Sequence, residues 1–188
     1  MKIYLIRHGR TAGNLEKRYV GSTDESILPE EQERLRKFDY PEVDVVYVSP
    51  RLRCLETAAV LFPGKELRKV KLLAECDFGA FEYKNYKELS DNEDYQRWID
   101  SGGTIGFPGG EDRETFQNRC QRGYWQVLLD AERRGCRQIA IVAHGGTIMA
   151  VMERVAEPCG DYFSWMSENG CGYLLDSESG SWEKIEKR

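Results

Sequence analysis

Two short apolar runs, Lys2–Arg7 and Ile139–Ala143, each lead straight into a His-Gly step. Neither run alternates polar with apolar residues. Continuous apolar strands of this kind belong to parallel sheets covered on both faces. In open α/β sheets, ligands bind beyond the carboxyl ends of such strands. The two steps, His8-Gly9 and His144-Gly145, contain the only histidines of the chain. If both runs lie in one sheet, both imidazoles reach the same edge.

The rest of the chain fits a sheet with helices on both sides. Val43–Val48 reads as a second strand, rich in β-branched residues. Ser49-Pro50 reads as a helix start, with Ser49 as cap and Pro50 at the first helical position. Leu52, Leu55, Ala59 and Phe62 follow at helical spacing before Pro63-Gly64. Pro29–Phe38 reads as a charged helix, and one helical turn is expected near Asn14. Leu67–Leu73 reads as a short strand, Glu75–Tyr83 as a loop, and Asp94–Ile99 as a short helix. Phe116, Cys120, Tyr124, Val127 and Ala131 mark the apolar face of a long helix over Glu111–Arg134, stopped by Gly135. Thr147–Ala156 reads as another helix. Gly172–Asp176 and Trp182–Ile185 read as a terminal hairpin. The expected fold class is therefore α/β, a three-layer α/β/α sandwich around a central, mostly parallel sheet.

At 188 residues, one domain over residues 1–188 is expected, and a core of this size needs no disulfides. The net charge of −5 argues against general nucleic-acid or membrane binding, so an anion site must be a local basic cluster. The six cysteines form no CxxC pair, so reduced thiols in a cytoplasmic protein are expected, with no signal peptide and no membrane span. A cysteine–histidine metal site has no supporting ligand spacing.

The chemistry sits at the strand ends. A neutral imidazole is a nucleophile near pH 7, and a covalent intermediate splits one displacement into two. Phosphoryl transfer needs its oxygens held by cations and N–H groups. Arg7 adjoins His8 and offers a planar fork of donors. His144 precedes Gly145-Gly146-Thr147, where a helix start supplies N–H groups for an anion. Arg51 and Arg53 fall in a first helical turn, where dipole logic prefers acids, which suggests anion binding. Glu75, Asp77 and Glu82 lie close together, and any of them could protonate a leaving oxygen. Their chemistry alone does not choose among them.

Taken together, Arg7-His8-Gly9-x-Thr11-x-x-Asn14, Ser49-x-x-x-Arg53-x-x-x-Thr57-Ala58, Leu73-x-Glu75-x-x-Phe78-Gly79, Gly109-Gly110-Glu111 and His144-Gly145-Gly146 resemble the histidine phosphatases of the phosphoglycerate mutase-like superfamily, branch 1. The motifs span nearly the whole chain in the family's order. This resemblance implies that His8 is the nucleophile that becomes phosphohistidine. It implies that Arg7, Arg53 and His144 hold the phosphoryl oxygens, and that Glu75 is the proton donor, although relatives sometimes use an acid near Glu82. It also implies that Asn14 helps hold the phosphate pocket and that Gly21, Ser22 and Thr23, in the loop Arg18–Asp24, contact the rest of the substrate. Gly145 would meet the phosphoryl group. Arg10 and Arg51 depart from the family pattern and would make the pocket mouth more cationic.

No metal and no cofactor is required, because the arginines form the charge clamp. The expected partner is a small-molecule phosphomonoester, with a homodimer allowed. Only about thirty residues separate Phe81 from Gly109, which favours an open site and hydrolysis. Tyr19–Asp24 and the short length resemble small α-ribazole phosphatases, which makes α-ribazole 5'-phosphate a candidate substrate. Phosphoglycerate mutase-type transfer is the alternative, and a non-catalytic phosphate-binding protein is another.

Overall fold

The computed structural model describes residues 1–186. Its sheet has six strands in the order β3-β2-β4-β1-β5-β6. These are β1 (Lys2–Arg7), β2 (Val45–Val48), β3 (Leu67–Lys69), β4 (Gln138–Ala143), β5 (Gly172–Asp176) and β6 (Trp182–Ile185). The first four are mutually parallel, and β5 and β6 run antiparallel at one edge. The helices are α1 (Ala12–Leu15), α2 (Pro29–Leu35), α3 (Leu52–Leu61), α4 (Glu93–Asp100), α5 (Arg113–Arg133) and α6 (Gly145–Val155).

Side chains of β1 alternate between two cores, as successive strand residues must. Ile3 and Leu5 pack with residues of α5 and α6. Tyr4 and Ile6 pack on the other face with residues of α2 and α3. Burial on both faces is why β1 and β4 carry no polar alternation. The result is the three-layer α/β/α arrangement. A third, smaller cluster of Phe81, Leu89 and Tyr95 sits under the segment that leads into α4.

Several boundaries differ from expectation. The expected strand Leu67–Leu73 ends at Lys69 and turns into a 3-10 helix over Lys71–Leu73. Helix α3 is capped at Arg51, and its cap makes no side-chain hydrogen bond. Ser49 is no cap, because its hydroxyl is engaged elsewhere. Helix α6 begins two residues early, at Gly145. The chain also forms 3-10 turns over Gly79–Phe81 and Tyr162–Trp165. Among the described residues, no helix is long and apolar enough to cross a membrane.

Register places the site. Arg7 of β1 is level with Ala143 of β4, and the His8 N–H donates to the Ala143 carbonyl at 2.9 Å. The next residues of two parallel strands, His8 and His144, therefore leave the sheet side by side.

Candidate active site

The two imidazoles lie with ring centroids 5.1 Å apart, both buried. His8 Nδ1 is 2.7 Å from the Gly9 carbonyl. A carbonyl only accepts, so Nδ1 carries the proton and Nε2 keeps its lone pair. Burial, then the Arg53 and Arg7 charges, hold the His8 pKa well below its ordinary value. His8 is thus neutral, in one tautomer, and poised through Nε2. His144 Nε2 lies 2.7 Å from the Ser49 hydroxyl, and Cys54 Sγ lies 3.6 Å from the same nitrogen. Burial and the same arginines depress its pKa too.

Arg53 is fully buried. Its Nη1 donates to the Thr23 carbonyl at 2.8 Å, and its Nη2 donates to those of Val20 and Gly21. Arg7 Nη1 donates to the Ser167 carbonyl at 2.7 Å. Both Nε atoms are buried without a partner. Unsatisfied buried donors cost roughly 1–3 kcal/mol each, so both guanidiniums hold unused capacity beside His8.

Glu75 is the acid at this edge. Its Oε2 accepts from the Gly146 N–H at 3.1 Å and its Oε1 from the Cys76 N–H at 3.0 Å. Burial raises its pKa despite these bonds and the nearby arginines. A Cβ on Gly146 would stand 2.5 Å from Oε1, so only glycine admits the carboxylate here. The Gly146 N–H, expected to face an anion, is therefore committed to Glu75. Glu82 has a different task. Its Oε1 accepts from the Gly21 and Thr23 N–H groups at 3.0 and 2.8 Å, which fixes the loop that holds Arg53.

These groups form the floor of a cleft of about 570 Å³, lined there by Arg7, His8, Asn14, Glu75, Gly145 and Gly146. Arg53 and His144 lie beneath it. Two expectations need correction. Arg10 does not line the cleft; its Nε donates to Glu31 at 2.9 Å, a carboxylate buried between Arg10 and Arg34. Gly21, Ser22 and Thr23 do not line it either. Gly21 and Thr23 act on Arg53 through their carbonyls, and Ser22 is exposed. Tyr19 and Val20 of the same loop do line the cleft.

Sequence reasoning missed Ser49, the partner of His144, and Asn169. The Asn169 Nδ2 donates to the His8 carbonyl at 2.9 Å, with Asn14 Oδ1 at 3.3 Å. Arg34 Nη2 in turn donates to the Asn169 carbonyl at 2.7 Å. The lining rings Tyr19, Trp98 and Phe107 also had no assigned role. Ser49 carried a signal, since it opens the Arg53 motif; Asn169 carried none.

Residues 3–187 match the model of the histidine phosphatase superfamily (branch 1). The chain belongs to that family. It is 28% identical over 159 residues to a putative phosphoserine phosphatase 2 of Hydrogenobacter thermophilus, covering 80% of this chain and 76% of that protein. It is 25% identical over 185 residues to the adenosylcobalamin/α-ribazole phosphatase of Salmonella typhimurium, covering 94% and 90%. The solved α-ribazole phosphatase of Shigella flexneri superposes with a TM-score of 0.85 at 21% identity, covering 100% of this chain and 96% of that one. That superposition speaks for the fold, and the named relatives place the chain among the family's phosphatases.

Proposed function

We propose that this chain is a metal-independent phosphomonoesterase that works through a phosphohistidine on His8. The observation that carries the reading is the Nδ1–H bond to Gly9, which leaves Nε2 as the free nucleophile. In the first step His8 Nε2 bonds to phosphorus as the P–O bond to the alcohol breaks. Protonated Glu75 gives its proton to the departing oxygen. In the second step water bonds to phosphorus, the N–P bond breaks, and Glu75 takes back a proton. Arg7 and Arg53 supply the positive charge that the equatorial oxygens need, and neutral His144, oriented by Ser49, donates its ring N–H beside them. Glu75 is preferred over Glu82 because it lines the cleft and has a raised pKa, whereas Glu82 lies off the cleft lining and anchors the 21–23 loop through Oε1.

The substrate is read as a small phosphorylated metabolite, with α-ribazole 5'-phosphate and phosphoserine suggested by the names of relatives. The test is phosphate release from a panel of phosphomonoesters, including both of these and 3-phosphoglycerate, in excess EDTA. Release in EDTA is the expected result. Loss of activity restored by a divalent ion would refute the metal-free route. Isomerised 3-phosphoglycerate without free phosphate would move the reading to mutase chemistry.

A further inference from the structure

The cleft is several times larger than a phosphoryl group, and above its floor it is mostly apolar, with one aromatic wall. Tyr19, Phe78, Trp98 and Phe107 line one wall in mutual contact. Trp98 and Phe107 stack at 5.2 Å, Phe78 meets Phe107 edge-on at 5.1 Å, and Tyr19 lies 5.2 Å from Phe78. Tyr95 stacks behind Trp98 at 6.0 Å. The Trp98 indole N–H has no partner, so ring packing alone holds this side chain in place. Gly103 lies against it; even a Cβ there would come within 3.3 Å of the indole. Glycine at this lining position keeps larger groups off the ring.

The rim is apolar as well. Ile99, Phe163 and Met166 line the cleft while 48%, 63% and 52% exposed. Exposed apolar groups gathered around a cleft mark a binding surface. The charged residues above the floor are already engaged. Arg18 is bonded to Glu16, Glu88 and the Tyr83 carbonyl. Arg113 lies 4.6 Å from the Tyr162 ring centroid and 3.7 Å from Glu153. Among the described residues, no carboxylate lines the walls above Glu75 to meet an ammonium group.

We infer that the Tyr19–Trp98–Phe107 wall selects phosphomonoesters whose alcohol carries a flat, uncharged ring system, with Trp98 as the specificity-determining platform. The inference rests on the phosphomonoesterase reading and narrows its substrate class. Small zwitterionic alcohols such as serine meet no carboxylate on these walls that would hold their ammonium group. Ring stacking of the usual strength corresponds to up to roughly tenfold in kcat/KM beyond what area burial supplies.

The experiment compares 2-(naphthyl)ethyl phosphate with ethyl phosphate and O-phosphoserine, all esters of aliphatic alcohols. Wild type should prefer the naphthyl ester by about tenfold or more. The preference should collapse in Trp98→Ala and survive in Trp98→Phe. Trp98→Leu, which keeps apolar bulk without a flat ring, should lose it too and serves if the alanine variant does not fold. A ratio that is unchanged in Trp98→Ala and Trp98→Leu, or a wild-type preference for O-phosphoserine, would overturn the inference alone. Release of phosphate from none of the esters would overturn the phosphomonoesterase reading beneath it.

Discussion

His8 on the cleft floor and Arg53 and His144 beneath it are buried and bonded into the strand ends, whereas Ile99, Phe163 and Met166 at its rim stand about half in solvent. The floor is held by hydrogen bonds from four separate parts of the chain: Gly9, Ser49, Thr23 and Ser167. The walls are held by ring packing, with few directional bonds. A phosphoryl group presents the same oxygens whatever alcohol carries it, so the floor must be geometrically fixed. An alcohol's shape differs from substrate to substrate, and apolar packing can be re-cut at small cost. The family's shared chemistry thus belongs to the floor and its substrate choice to the walls.

The comparison breaks first at His8. His8→Ala should lower turnover by on the order of 10⁴ or more, because the nucleophile has no stand-in. Phosphoryl label trapped on the wild type should be acid-labile and alkali-stable, and absent from the variant. Label that persists in His8→Ala would place the nucleophile elsewhere.

The next effect separates two acids of the same region. Glu75→Gln should cost roughly 10²–10⁴ with an alkyl ester and far less with a nitrophenyl ester, whose leaving group needs no proton. Glu82→Gln weakens the acceptor of the Gly21 and Thr23 N–H groups. It should act through Arg53 and slow both esters alike. If Glu82→Gln shows the leaving-group dependence instead, the roles of the two acids exchange.

The same contrast explains what the sequence made legible. Arg7, His8 and His144 stand at fixed steps from strand ends, so residue type and local spacing mark them before any tertiary contact is known, whereas the resemblance to the family is what singles out Arg53 from Arg51 and Glu75 from Asp77 and Glu82. The doubly buried strands were equally plain from their unbroken apolar runs. Arg10 was misread because its partner, Glu31, lies on α2, and no local pattern reports that pairing. Ser49-Pro50 has the signature of a helix start, but the hydroxyl bonds to His144 across the sheet, and tertiary contact overrides the local rule. Asn169 reaches His8 from 161 residues away. Trp98 and Phe107 could not be told from core rings, because an aromatic on a cleft wall and one in a core obey the same spacing.

The smallest effect is a pH dependence of stability around pH 6.5, where the floor's two imidazoles, the only histidines of the chain, are the groups of the ordinary pKa range. His8 and His144 have native pKa values depressed below the ordinary 6.5. Below that pH the unfolded chain binds protons that the native protein refuses, so stability is lost as pH falls. Glu75 opposes this. Its raised native pKa lets the folded protein take a proton first, which favours the fold as pH falls through that window. Two depressed imidazoles against one raised carboxyl leave a net proton uptake on unfolding in mildly acid solution. Urea titrations at stepwise pH from about 8 to 5 should show the midpoint falling below pH ~6.5. Glu75→Gln removes the opposing group and should steepen the fall, whereas Trp98→Phe should leave its slope unchanged. A flat profile would mean that the imidazoles titrate normally in the folded protein, and the floor would then lose the electrostatic basis for a neutral His8.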